Sequence, residues 1–186
     1  MADNDPKKAS EDLSTVTRKT PRFAPGFYFL GQAQVRQNEV TEARKMLTKA
    51  TELAPNWIEP KITLAQLHLA AGDHELASDE VDKILKVQPN NETVLLIKGV
   101  VFLRTREIDQ ALAIFQQARK INPKSVAAHI NMAAVYAVKK NYPEDLKQYE
   151  QALTFDPNRV VRLVPSLKCI CCTAILRPLF IVSNSS

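Results

Sequence analysis

Three cysteines near the end of the chain, Cys169, Cys171 and Cys172, are the residues best suited to metal or thiol chemistry. A structural zinc site needs four tetrahedral ligands, usually supplied by two spaced pairs. This cluster has neither a second pair nor a histidine close to it in the sequence. We therefore expect reduced thiols that act as small apolar groups, with no metal site and no disulfide framework. Acylation beside Lys168 would require this segment to contact a membrane.

The histidines and the acidic pairs are the remaining candidates for catalysis. His68 and His129 fall on predicted helices and His74 at a turn, and no Ser or Cys nucleophile is placed near any of them. The pairs Asp79-Glu80 and Glu144-Asp145 are typical of helix surfaces and helix N-termini. The chain also lacks a glycine-rich phosphate loop. We expect no catalytic residue, no cofactor and no small-molecule substrate, so the protein is predicted not to be an enzyme.

The elements that carry these residues repeat along the chain. Four prolines recur every 34 residues, and each follows a segment that reads as two amphipathic helices: Pro55, Pro89, Pro123 and Pro157. A proline lacks the amide donor and restrains the residue before it, so the second helix of each segment should end there. A period of this length indicates a stacked helical array.

Side-chain size follows the same period. Small residues recur in the first helix, where the partner helix must approach closely: Gly31, Ala65, Gly99 and Ala133. Bulky residues recur in the second helix: Leu47, Val81, Phe115 and Tyr149. The repetition of both sizes predicts an apolar core that passes from repeat to repeat.

These positions resemble the tetratricopeptide repeat. The first unit carries the pattern at Phe27, Leu30, Gly31, Ala43, Leu47, Ala50 and Pro55, and the third at Gly99, Phe102, Ala111, Phe115, Ala118 and Pro123. The resemblance implies an all-α fold, a right-handed α-solenoid of about four helix-turn-helix repeats. The repeat domain would span residues 23–159, with units at 24–57, 58–91, 92–125 and 126–159.

The second and fourth units depart from the family pattern. Ile84 replaces a small residue, and Lys61, Lys98 and His129 occupy places usually given to large apolar groups. Asp145 stands where an alanine normally packs, and an unpaired buried carboxylate is costly. The sequence therefore predicts a loosened or shifted helix pair in the fourth unit.

The resemblance also implies where a partner would bind. In this family the first helices line a concave groove, and the matching positions here are Tyr28, Gln32, Arg36, Ile62, Gln66, Leu69, Leu96, Val100, Leu103, Arg104 and Ile130. We call these the predicted groove residues. Tyr28, Ile62, Leu96, Leu103 and Ile130 would act as apolar anchors, and Arg36 and Arg104 as polar selectors, for an amphipathic helix or extended peptide. The alternative for any one of them is ordinary packing between neighbouring helices.

The carboxylate clamp of heat-shock co-chaperones is absent, because the matching places hold Tyr28, Gln32, Thr63, Thr93 and Ile97. A looser likeness, in the Ala-rich and Gln-containing stretch 64–72, is to bacterial envelope tetratricopeptide proteins linked to polysaccharide export. We interpret the chain as a non-catalytic adaptor or scaffold for protein partners. The alternative is a membrane-associated assembly factor, for example in envelope or secretion biogenesis, that works through its C-terminal tail.

The two ends differ from the repeats. Residues 1–22 carry few large apolar side chains, which predicts disorder, and the absence of an apolar signal region predicts a cytoplasmic protein. The tail, residues 160–186, is apolar and basic and too interrupted to span a bilayer. It would be an imperfect cap on the last repeat, a segment held peripherally at a membrane or partner, or a foreign end left by truncation or a changed reading frame.

Charge argues against nucleic acid as a partner. The chain has 25 basic and 20 acidic residues, a net charge of +5. The tail supplies Arg162, Lys168 and Arg177 without any acidic residue, so the repeats are nearly neutral. Lysines and arginines are scattered among acids on the helices and do not line one face, so we expect no nucleic-acid track.

Overall fold

The structure, a computed structural model, describes residues 6–158, and these residues form nine α-helices and no strand. The all-α repeat predicted from the sequence is confirmed. The longest of these helices have 14 residues, and within the described range no helix is long and apolar enough to cross a membrane. The described residues divide into two compact units, the first ending at Pro89 and the second beginning at Asn90.

Within each unit, every helix packs against the next one along the chain. The helices of the first unit are α1 (Pro6–Lys19), α2 (Ala24–Arg36), α3 (Val40–Leu53), α4 (Ile58–Ala71) and α5 (His74–Val87). Those of the second unit are α6 (Glu92–Arg104), α7 (Ile108–Ile121), α8 (Val126–Val138) and α9 (Tyr142–Phe155). In the second unit α6 also contacts α8, so the first helices of its two repeats are neighbours.

The periodic prolines end the second helix of each pair as predicted. The residue before each proline leaves the helical region, with ψ between 75° and 93°: Ala54, Gln88, Asn122 and Asp156. Each of these residues still donates its amide N–H to the carbonyl four residues earlier. The steric restriction that proline places on its predecessor explains why helix formation stops at these points.

The small residues of the first helices are sites of close helix contact. A Cβ added to Gly99 would lie 2.3 Å from Cε1 of Phe115, and one added to Gly31 would lie 2.8 Å from Cγ of Leu47. Both bulky side chains are fully buried. In the second repeat the matching position holds Ala65, and the second helix carries the smaller Val81. In these three repeats a larger side chain on the second helix faces a smaller residue on the first. The fourth repeat, with Ala133 and Tyr149, departs from this relation.

The sequence predicted disorder for residues 1–22, whereas the described residues Pro6–Lys19 form α1, which packs against α2. Its Thr17 is buried, and Cγ2 of Thr17 lies 3.3 Å from where a Cβ on Gly26 would be. Gly26 therefore lets α1 approach α2 closely. The apolar content of α1 is too low to indicate a helix by itself, and contact with α2 stabilises it.

The fourth helix pair is not loosened as predicted, since α8 and α9 are continuous helices that pack directly on each other. His129, at a place usually apolar, is 2% exposed, and Gln148 facing it is 3% exposed. Nδ1 of His129 lies 2.8 Å from Oε1 of Gln148, and its Nε2 lies 3.3 Å from the carbonyl oxygen of Pro123. The ring of Phe155 also contacts the imidazole, with centroids 5.5 Å apart. A buried polar pair thus joins the two helices.

The Asp145 carboxyl is half-buried, and within residues 6–158 its buried Oδ1 has no hydrogen-bond partner. Burial raises the pKa of Asp145 above its ordinary value of 3.8. The charged form is therefore disfavoured in the folded protein, and this carboxylate lowers stability at neutral pH. The loss of stability is small enough for the fold to tolerate, because part of the Asp145 carboxyl group reaches solvent.

Replacing Asp145 by Ala is expected to stabilise the protein by about 0.5 to 1 kcal/mol at pH 7, a modest value because solvent screens the group. A raised folded-state pKa means that the wild type gains stability as the pH falls through that pKa. The part of the Asp145→Ala advantage that comes from the carboxylate charge should therefore shrink on acidification and be lost below pH 3.8. Urea denaturation at pH 7 and at successively lower pH measures this. An advantage independent of pH would contradict the prediction.

The tail with Cys169, Cys171 and Cys172 lies outside the described residues, as does the segment 1–5. The predicted cap and membrane roles of the tail therefore stay predictions.

Candidate functional site

The predicted groove residues share one structural property, which is that all eleven side chains reach the surface. Arg36, Gln66 and Arg104 are exposed. The others are half-buried: Tyr28, Gln32, Ile62, Leu69, Leu96, Val100, Leu103 and Ile130. Six of the eleven lie on α2 and α4 in the first unit, and five lie on α6 and α8 in the second.

In the second unit, a cavity of about 670 Å³ lies beside α6 and α8. We call it the unit 2 pocket. It is lined by Val100, Leu103, Arg104, Arg106, Ile108, Asn131 and Val138. Three predicted groove residues therefore meet here, namely Val100, Leu103 and Arg104. Leu96 packs on the same core as Val100 and Leu103, whereas Ile130 packs against Val126, Ala152 and Leu153; neither Leu96 nor Ile130 lines the pocket.

Helix geometry explains how the pocket forms. Leu103 and Arg104 follow Val100 by three and four residues on α6, so both lie next to it on one face of the helix. Val138, two turns after Asn131 at the end of α8, is 56% exposed. Beneath this surface Val100 and Leu103 pack on the buried core of α7 and α8, which includes Phe115 and Met132. The core holds the apolar floor of the pocket in place.

Arg106 joins the pocket through a left-handed turn between α6 and α7, with φ at 66°. The matching turns of the other three helix pairs also have positive φ, at Asn38, Gly72 and Lys140. Asn and Gly suit this conformation, whereas a long side chain is strained by it. Sequence reasoning missed Arg106, Ile108 and Asn131. The 34-residue spacing from Asn38 and Gly72 was a signal that could have located the turn.

The charged groups around the pocket are unequally paired. Arg104 and Arg106 are exposed, and neither guanidinium group forms a hydrogen bond or ion pair with any residue of the range 6–158. The nearby acids already have donors: Asp109 accepts from Nζ of Lys139 at 2.5 Å, and Glu107 accepts from two neighbouring side chains. The two guanidinium groups therefore leave the apolar pocket with unpaired positive charge.

The first unit presents an aromatic surface. The ring of Tyr28 lies 4.7 Å from the ring of Trp57 in an edge-on arrangement and 5.2 Å from that of Phe29, which is half exposed. The Tyr28 hydroxyl accepts a hydrogen bond from Nε2 of Gln32, so these two predicted groove residues contact each other. Trp57 was missed by sequence reasoning, although it is the single tryptophan and directly precedes α4.

The polar cluster at the start of α5 is structural. Nη2 of Arg44 lies 2.6 Å from Oδ2 of Asp73, and Nδ1 of His68 lies 3.6 Å from the same oxygen. The Arg44 hydrogen bond holds the pKa of Asp73 below its ordinary range. Across the part of the chain that the structure describes, no group of three or more His, Cys, Asp or Glu side chains could hold a metal ion.

Comparison with known proteins identifies the repeats. Two family models, each described as tetratricopeptide repeat, match the chain, one over residues 62–126 and 98–160 and the other over 24–56. The protein PYG7, a chloroplastic tetratricopeptide repeat domain-containing protein of Arabidopsis thaliana, is 38% identical over 153 residues, which covers 82% of this chain and 41% of PYG7. The chain spans less than half the length of the curated relatives that it matches.

Solved structures show the same fold. TTC0263, a tetratricopeptide protein of Thermus thermophilus, superposes with a TM-score of 0.74 at 20% identity, covering 92% of this chain and 91% of TTC0263. YrrB, described as a tetratricopeptide protein with an unusual peptide-binding site, gives a TM-score of 0.65 at 19% identity over 88% of this chain and 84% of YrrB. The family models together cover most of the described residues, and the helix pairs have the matching form. The chain belongs to the tetratricopeptide repeat family.

Proposed function

We propose that this protein is a non-catalytic adaptor or scaffold that binds segments of partner proteins. The observation that carries the proposal is the unit 2 pocket, where the half-buried Val100 and Leu103 and the unpaired Arg104 side chain occupy positions predicted to face a partner. Membership of a repeat family with many interaction scaffolds supports it. The peptide-binding site named for YrrB supports it by analogy of fold.

The surface chemistry suits a peptide. Val100, Leu103 and Val138 offer apolar area that water contacts in the free protein, and covering it contributes about 25 cal/mol per Å². An extended peptide or amphipathic helix with spaced apolar side chains can fill such a depression. The aromatic surface around Tyr28 offers a comparable contact in the first unit. Exposed apolar surfaces rimmed by polar groups commonly mark interaction sites.

The proposal is tested with a library of phage-displayed random 12-residue peptides selected on the full chain. Peptides that bind the wild type should bind Leu103→Glu at least tenfold more weakly, because a carboxylate in the pocket opposes apolar contact. Ile121→Glu is the matched control, because Ile121 lies on α7 of the same unit, is 38% exposed and does not line the pocket. It should bind as the wild type does.

Circular dichroism must show equal helical content in both variants. Peptides that bind Leu103→Glu as tightly as the wild type would place the binding surface elsewhere. The absence of any selected peptide would reject the proposal.

A further inference from the structure

We infer that the unit 2 pocket selects a peptide segment with an aspartate or glutamate side chain placed against Arg104 and Arg106, beside an apolar side chain that enters the pocket. This inference rests on the proposed function and specifies its partner. The carboxylate would be held by the two guanidinium groups, and the apolar neighbour by Val100, Leu103 and Val138.

The first argument is the state of the two arginines. Each guanidinium carries five N–H donors in a planar fork that matches a carboxylate. Neither the Arg104 nor the Arg106 guanidinium forms a hydrogen bond or an ion pair with another residue of the range 6–158. Asp109, a nearby acid, already pairs with Lys139. The pocket therefore lacks an internal carboxylate for these arginines and favours one brought by a partner.

The second argument is the backbone at Arg106. Its φ of 66° strains a residue with a Cβ; the matching turns hold Asn38 and Gly72 in the first unit and another long cation, Lys140, in the second. Stability alone would favour Asn or Gly here. The long cation is instead placed at the rim of the cavity, close in sequence to Arg104. Lys140 has the same strain but does not line the pocket, so the turn matters here because it places Arg106 at the rim.

The third argument is the apolar floor. Val100, Leu103, Ile108 and Val138 supply most of the lining, and a charge-assisted hydrogen bond beside such a surface is screened less than one in open water. None of the seven lining residues is aromatic, so the pocket lacks a platform for stacking bases. These features favour an acidic peptide over a single-stranded nucleic acid.

The test compares peptides selected on three forms of the full chain: wild type, Arg104→Gln/Arg106→Gln, and the control Lys120→Gln/Lys124→Gln. The control removes the same charge from exposed lysines of the same unit that do not line the pocket. Wild type and control should enrich Asp and Glu about threefold over the input library, next to a large apolar residue. The arginine variant should lose this enrichment. In the tightest peptide, exchanging the acid for its amide should weaken binding to the wild type about tenfold.

Each outcome decides a different point. Apolar peptides that bind all three forms equally, without acidic enrichment, would overturn this inference and leave the proposed function standing. Binding of the tightest synthetic peptide that depends on its free C-terminal carboxylate and not on its acidic side chain, or equal binding of a 12-nucleotide single-stranded RNA through the two arginines, would also overturn it. If the full chain captures no peptide, the proposed function fails and this inference fails with it.

Discussion

Gly99→Ala is expected to lower the free energy of unfolding by about 3 kcal/mol, at the upper end of the cost of overpacking a core. The new methyl group would lie between 2.3 and 2.7 Å from three carbons of the Phe115 ring. The ring has no exposed surface, so it cannot move outward without shifting α7. Alanine gains about 1 kcal/mol in helix propensity over glycine, and the clash outweighs this gain. Urea denaturation followed by circular dichroism measures the net effect.

A second substitution separates the clash from other causes. Phe115→Leu removes the ring atoms that oppose the methyl group, so Gly99→Ala should cost much less in a Phe115→Leu background. Gly72→Ala is the control, because Gly72 has φ at 85° and open space around it. Its cost comes from the backbone and should be unchanged by Phe115→Leu. A neutral Gly99→Ala would mean that α6 and α7 can separate freely.

Breaking the buried His129–Gln148 pair is expected to have the next largest effect. Gln148→Leu should cost about 2 kcal/mol, because it leaves a buried imidazole nitrogen without a hydrogen-bond partner. His129→Leu should lower stability by a similar amount, since it leaves the buried Gln148 amide without its hydrogen-bond partner. The double variant replaces both partners by apolar groups and should be more stable than the sum of the single changes implies.

A double-mutant cycle on thermal and urea unfolding gives the coupling energy, which we expect to be about 1 to 2 kcal/mol in favour of the intact pair. Thr154→Ala is a suitable control, because its hydroxyl is exposed and hydrogen-bonds within α9. Additive costs of the two single changes would show that the side chains do not depend on each other. The inference that the His129–Gln148 pair joins α8 to α9 would then be wrong.

The repeat and its helix boundaries could be predicted from the sequence because local chemistry decides them. Pro55, Pro89 and Pro123 restrict their predecessors whatever the surroundings, so the helices end where the prolines indicate. The recurrence of a small residue at Gly99 and a bulky one at Phe115 likewise predicted a close helix contact. Composition and periodicity were therefore sufficient to predict the fold class and most of the core residues.

The candidate site could be predicted in part. Position in the repeat placed Val100, Leu103 and Arg104 on one face of α6, since helix geometry determines which residues share a face. Arg106 could not be assigned to the same pocket, because its place depends on a turn that carries the chain from α6 to α7. A turn's direction depends on the packing of both helices, which residue types alone did not reveal.

The sequence by itself determined the helix pairs, their ends and the size pattern of their contacts, because steric limits and helical periodicity act over a few neighbouring residues. Only the tertiary structure decided that α1 is helical, that His129 is satisfied by Gln148, and that Arg106 joins Arg104 at one pocket. Each of these depends on residues brought together from different helices, or on either side of a turn, and burial and charge pairing exist only once that contact is made.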